Sequence, residues 1–86
     1  MKYPLMPKAT AIWLVENTAL SFNQIAEFCG LHELEVQGIA DGEVAVGMRG
    51  YDPIDNKQLT KEEIKRCEID SLAKLELISS EIIESL

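Results

Sequence analysis

Seven residues between positions 25 and 39 stand at the spacing that a helix-turn-helix unit requires. Counted from the first, they lie at offsets 0, 1, 4, 5, 6, 11 and 14: Ile25, Ala26, Cys29, Gly30, Leu31, Val36 and Ile39. The five larger apolar residues would bury two helices and the corner between them. Ala26 is small where the helices cross, and Gly30 can adopt the left-handed conformation that ends the first helix. The register predicts a helix-turn-helix, with an ordinary corner between two helices as the alternative.

Capping residues predict where the helices begin. Ser21 and Gln24 have the spacing of a capping box, and the same spacing recurs at Thr60 and Glu63. Gly42 is placed to end the third helix. Together with Pro7, which suits the first turn of a helix, these signals set the predicted bounds. We predict helices over residues 7–17, 22–29, 33–40 and 61–69, and a fifth from Ser71 to the end.

The stretch from residue 43 to residue 58 is the least regular part of the sequence. Val44, Val46 and Met48 alternate with smaller or polar residues, as in a strand. This pattern allows a short β-hairpin, but an irregular loop held by Tyr51 and Ile54 is favoured. The predicted fold is mainly α, a small helix-turn-helix domain of about five helices. It divides into residues 1–70 and a C-terminal amphipathic helix over residues 71–86.

Composition limits the kinds of function that this chain can have. Its 86 residues suffice for one small core, and 47% of them are hydrophobic. No apolar run approaches the roughly 20 residues of a spanning helix, and Lys2, Pro4 and Glu16 argue against a signal peptide. We therefore expect a cytoplasmic protein with reduced cysteines, or a nucleoid-associated one if it binds DNA. No metal, cofactor or catalytic pattern is present, so we do not expect an enzyme.

In a DNA-binding helix-turn-helix, the third predicted helix would enter the major groove. Its exposed side offers Gln37, which can pair with adenine, and His32, which can donate to bases or phosphates. Basic residues outside that helix could hold the phosphate backbone. The candidate DNA-binding residues are His32, Glu33, Gln37, Gly38, Lys8 and Arg49.

The charge of the chain argues against this function. Eight lysines and arginines face 15 acidic residues, a net charge of −7, whereas phosphate contacts require cations. Glu33 and Glu35 would repel DNA, although carboxylates in a first turn also favour the helix dipole. The alternative is an acidic protein-interaction module that docks on a basic surface, such as that of RNA polymerase, without reading DNA.

The C-terminal residues carry an apolar stripe at helical spacing. Leu75, Ile78 and Ile82 recur at intervals of three and four, with Leu72 and Leu86 extending the surface. Such a stripe either packs on the domain or pairs with another chain. Because two-fold DNA sites need two recognition helices, we predict a homodimer through Leu75, Ile78 and Ile82.

Several strings within residues 4 to 72 resemble a known family. The most specific are Pro4-Leu5-Met6-Pro7-Lys8-Ala9-Thr10-Ala11, Phe28-Cys29-Gly30-Leu31-His32 and Ile39-Ala40-Asp41-Gly42-Glu43. These strings are similar to those of small alphaproteobacterial helix-turn-helix proteins, the TrcR cell-cycle transcriptional regulators. The resemblance implies a cytoplasmic regulator of transcription and assigns no individual contact residue.

Overall fold

Four α-helices make up the regular structure of the part of the chain that is described. The computed structural model describes residues 3–4, 6–44 and 47–77. Within them the helices are α1 (Pro7–Asn17), α2 (Phe22–Cys29), α3 (Glu33–Ala40) and α4 (Lys61–Ile69). Their bounds are the predicted ones, which confirms the first four predicted helices. None of these helices has the length and apolarity needed to cross a membrane.

Side-chain caps explain two of the helix starts. The Ser21 hydroxyl accepts a hydrogen bond from the Gln24 amide at 3.1 Å, and the Gln24 side chain accepts one from the Ser21 amide at 2.9 Å. This is the predicted capping box. Thr60 likewise accepts from the Glu63 amide at 3.1 Å. The return half of that second box was wrongly predicted, because the Glu63 carboxylate binds Arg66 instead.

Glycines in the left-handed conformation end α2 and α3, as predicted. Gly30 has φ 70°, and the Leu31 amide beyond it donates to the Ala26 carbonyl at 2.9 Å. Gly42 has φ 74°, and the Glu43 amide donates to the Gly38 carbonyl at 2.9 Å. Both hydrogen bonds reach back five residues and satisfy carbonyls that the helix leaves free.

The core lies where α1, α2 and α3 pack against one another, and α4 closes it. Leu14 of α1, Ile25 of α2 and Val36 of α3 are almost completely buried at its centre. Ile64 and Cys67 of α4 join the same cluster, as does Leu59 just before α4. The helix-turn-helix unit therefore shares one continuous core with the helices on either side of it.

Residues 71–77 do not form the predicted fifth helix. Asp70 makes a turn by accepting the Leu72 amide at 3.0 Å, and the chain then runs without helical structure. Arg66 donates to the Lys74 carbonyl at 2.9 Å, and Glu63 accepts the Glu76 amide at 2.9 Å. These contacts with α4 override the helical spacing of the apolar residues. The rest of the predicted helix, residues 78–86, lies outside the described residues.

The segment between α3 and α4 is irregular wherever it is described. It contains no strand in residues 41–44 and 47–60, so the hairpin is not found there, and residues 45–46 lie outside the description. The Tyr51 amide donates to the Ala9 carbonyl at 3.0 Å, which ties the loop to α1 as expected. Asp52 then accepts a hydrogen bond from the Ile54 amide at 2.8 Å and makes a turn around the buried Pro53.

Candidate nucleic-acid interface

The helix-turn-helix register holds α3 against the core by one side. Val36 is fully buried, and Leu31 and Ile39 pack against the core on either side of it. Ile25, Ala26 and Cys29 of α2 are buried as the register requires. All seven positions therefore occupy the environments that their residue types predict, with α3 crossing the outside of the unit.

The opposite side of α3 faces away from the core. Glu33 and Gln37, one turn apart, are both exposed there. Leu34 is 68% exposed on the same side. Leu34 is not among the residues predicted to contact DNA, although its offset from Val36 and Ile39 in the sequence places it outside the buried stripe.

His32 caps α3, a role that the sequence reasoning missed. Its Nδ1 accepts the Leu34 amide at 3.1 Å, and Glu35 accepts the His32 amide at 3.3 Å. Because Nδ1 is an acceptor, the neutral ring carries its proton on Nε2. Nε2 is therefore the atom that His32 has left for a ligand.

The two glutamates in the first turn of α3 also have structural contacts. Glu35 completes the cap with His32, and Glu33 accepts the Asn23 side chain at 3.4 Å. Both carboxylates lie at the positive end of the helix dipole and stabilise it there. These structural roles account for both glutamates without a contact to a DNA base.

Gly38 is covered by the loop that follows α3. A Cβ added to Gly38 would overlap Cγ2 of Val44, and the Gly38 carbonyl accepts the amides of Glu43 and Val44. The missing side chain lets the loop return closely over the helix. The structure thus places this predicted contact residue beneath Val44.

The two basic candidates lie outside α3. Lys8, at the start of α1, is exposed and lines a small cavity with Glu35 and Ile39 of α3 and Met48 of the loop. Arg49 follows Met48 and is also exposed. The fold therefore brings Lys8 beside the first turns of α3. Arg49 follows Met48, which lines the same cavity.

Neither the cysteines nor the acidic residues form a metal site in the described chain. Those residues contain no group of three histidine, cysteine or acidic side chains suited to a metal ion. Burial raises the pKa of the Cys29 thiol to about 12 and also raises that of Cys67. Both thiols therefore remain protonated and serve as small core residues.

The fold and its outer helix define a helix-turn-helix domain extended by a fourth helix. The sequence model of the family described as "Transcriptional cell cycle regulator TrcR" matches residues 34–85, more than half of the chain. The chain belongs to this family, and its role is in the regulation of transcription. The match includes C-terminal residues beyond the predicted span of 4 to 72 and starts inside α3. No curated protein and no solved structure matches the chain.

Proposed function

We propose that this regulator binds DNA by inserting the exposed side of α3 into the major groove. The observation that carries the proposal is the orientation of α3, with Val36 fully buried and Glu33 and Gln37 exposed on the other side. That is the arrangement by which helix-turn-helix proteins present a helix to base edges. A protein acting in this way would be found with the nucleoid.

Each candidate residue has a distinct role in this complex. Gln37 makes paired hydrogen bonds to an adenine, and Nε2 of His32 donates to a base or phosphate. Lys8 and Arg49 contact phosphates beside the groove. Gly38, covered by Val44, contributes by letting the loop lie close to α3 and not through a base contact of its own.

Fluorescence titration of a selected duplex at low salt tests this proposal. Gln37→Ala should weaken binding to the preferred sequence by roughly 1–3 kcal/mol. Lys8→Ala should weaken all sequences alike and reduce the slope of log affinity against log salt by about 1. Lys65→Ala is the matched control, since Lys65 is an exposed lysine on α4. A folded wild-type chain that binds no duplex at low salt would exclude DNA reading by this chain.

A second candidate function is docking on a basic protein surface, with RNA polymerase as the natural partner. It is favoured by the surface of α3 and its flanks, where four acidic residues are exposed: Glu33, Glu35, Asp41 and Glu43. Leu34 lies among them and is 68% exposed. An exposed apolar side chain of this kind suits a protein interface better than a contact with DNA. Pull-down of RNA polymerase from native lysate, with and without nuclease, separates the two functions. Retention after nuclease supports protein docking.

Self-association through the C-terminal residues is a further part of the proposal. Leu75 is only 9% exposed and belongs to the core of its own chain, so it has little surface left for a partner. Ile78 and Ile82 lie outside the described residues and carry the prediction of a homodimer. Sedimentation equilibrium of the wild type and of Ile78→Glu tests it, and a wild type that stays monomeric at micromolar concentration contradicts it.

A further inference from the structure

A groove with both apolar and polar lining runs between α1 and α3 and opens to solvent. It has a volume of about 300 Å³ and lies between Ile12 and Val15 of α1 and Ile39 of α3, with Val44 and Met48 of the following loop along its edge. A smaller cavity continues it toward Lys8 and Glu35. We call this feature the α1–α3 groove.

Apolar side chains at the edge of the groove are exposed to solvent. Val44 is 42% exposed and Met48 49%, and Val44 lies directly over Gly38 of α3. Leu34, 68% exposed, stands one helical turn before Gly38. Val44 and Met48 therefore expose apolar surface at the groove, and Leu34 exposes more of it one turn away along α3. Exposed apolar patches of this kind mark interaction sites.

Charges around the α1–α3 groove are predominantly acidic. Glu16 lines one end and Glu35 the other, and Asp41 and Glu43 are exposed on the turn that precedes Val44. Lys8 lines the smaller cavity, and Arg49 follows Met48 in the sequence. The surroundings of the apolar surface are thus complementary to lysine or arginine and opposed to phosphate.

We propose that the α1–α3 groove binds an amphipathic, lysine- or arginine-rich helix of a partner protein. Apolar side chains of that helix occupy the groove beside Met48 and Val44, and its cations lie against Glu16 and Glu35. Helix-in-groove binding of this type uses one apolar stripe for affinity and flanking charges for orientation. The inference deepens the second candidate function and rests on it.

The probe is a fluorescent synthetic helix of leucine and lysine, about 14 residues or roughly four turns long. A peptide of the same composition in scrambled order controls for charge alone. Met48→Gln should weaken binding about tenfold, the loss of one apolar anchor. Leu72→Gln is the matched variant, because Leu72 is 90% exposed and does not line the groove. It should bind as the wild type does.

Amide NMR spectra identify where the peptide binds. Shifts confined to α1, α3 and residues 43–50, together with the Met48→Gln loss, support the proposal. It is overturned if the scrambled peptide binds equally well, if Leu72→Gln weakens binding as much, or if neither peptide binds. It is also overturned if the same shifts appear without peptide when the protein concentration is raised, since a second copy of the chain would then occupy the groove. Duplex titrations of Met48→Gln, which should match wild type, keep this test separate from DNA reading.

Discussion

The side-chain amide of Gln24 donates a hydrogen bond to the backbone carbonyl of Cys67 at 2.8 Å. The same nitrogen lies 3.0 Å from the carbonyls of Asp70 and Ala73, while the side-chain oxygen caps α2 through Ser21. Gln24 is 3% exposed, so water cannot replace these contacts. One buried amide thus joins the start of the helix-turn-helix to the end of α4.

Replacing Gln24 by methionine should lower the stability of the domain. Gln24→Met keeps the size of the side chain but leaves buried carbonyls without a donor, which costs roughly 1–3 kcal/mol for each unsatisfied group. We expect a loss of at least about 2 kcal/mol in the free energy of unfolding, measured by urea titration of circular dichroism. Asn23→Ala, an exposed neighbour, should change it by less than about 0.5 kcal/mol. Equal effects would show that the amide contacts contribute nothing.

Gly30→Ala should cost more than Gly42→Ala. Both glycines follow a helix with φ near 70°, so each substitution carries the left-handed penalty of roughly 1–2 kcal/mol. A Cβ at Gly30 would also lie 2.9 Å from Cε1 of the exposed Tyr3 side chain, which must then shift, whereas nothing lies within 4 Å at Gly42. Thermal unfolding of both variants measures the difference, and adding Tyr3→Ala to Gly30→Ala should remove it. The idea fails if the two single variants are equally stable.

His32→Ala should destabilise the domain by about 1 kcal/mol, and His32→Asn should not. Asparagine can replace Nδ1 as the acceptor for the Leu34 amide, and alanine cannot. Urea unfolding compares the two variants. If His32 only caps α3, His32→Asn should bind the duplex with normal affinity. If Nε2 also donates to DNA, as proposed, the affinity should fall. Equal destabilisation by both variants would exclude the capping role.

The buried Cys29 thiol should make stability fall in alkaline solution. Its pKa is raised from 9.0 to about 12, so above pH 9 the unfolded chain releases a proton that the folded chain keeps. Stability from this group is complete below pH 9 and declines toward pH 12, by at most about 1.4 kcal/mol per pH unit. Urea titrations between pH 8 and 11 measure the slope. Cys29→Ala should show a shallower decline, and an unchanged slope would contradict the assignment.

Glu63 should protect the Glu76 amide from hydrogen exchange. The hydrogen bond from Arg66 lowers the pKa of Glu63 below 4.5. The ionised carboxylate therefore contributes its full stability above pH 4.5, and this stability is lost as the pH falls through the lowered pKa. Glu63→Ala removes the acceptor and should speed exchange at Glu76 about tenfold at neutral pH. Glu62→Ala, the neighbouring acid in the same first turn, is the control. Similar rates in both variants would exclude this contact in solution.

Local signals predicted the first four helices, because their starts and ends depend on neighbouring residues. Ser21, Thr60 and Gly30 act within one turn of themselves, and their effects can be read from the sequence. His32 and Glu35 have the spacing of a capping box as well, but histidine is not among the residues usually recognised as caps.

Long-range contacts account for what the sequence did not reveal. The apolar spacing after Asp70 indicated a helix, yet Arg66 and Glu63 hold residues 74 and 76 in a non-helical course. Gly38 looked accessible on α3 because nothing local shows that Val44 returns over it. The exposure of Glu33 and Gln37 on α3 could therefore be predicted from the sequence, and the covering of Gly38 could not.

The return of Val44 over Gly38 limits how much of α3 can enter a groove. The part of α3 that precedes the covered Gly38 runs from Glu33 to Gln37, a rise of about 6 Å at 1.5 Å per residue. Base pairs are spaced about 3.4 Å apart, so this length spans about two of them. A footprint so small recurs throughout any genome. If one copy reads DNA in this way, its specificity for a promoter depends on a second copy or on a protein already bound there.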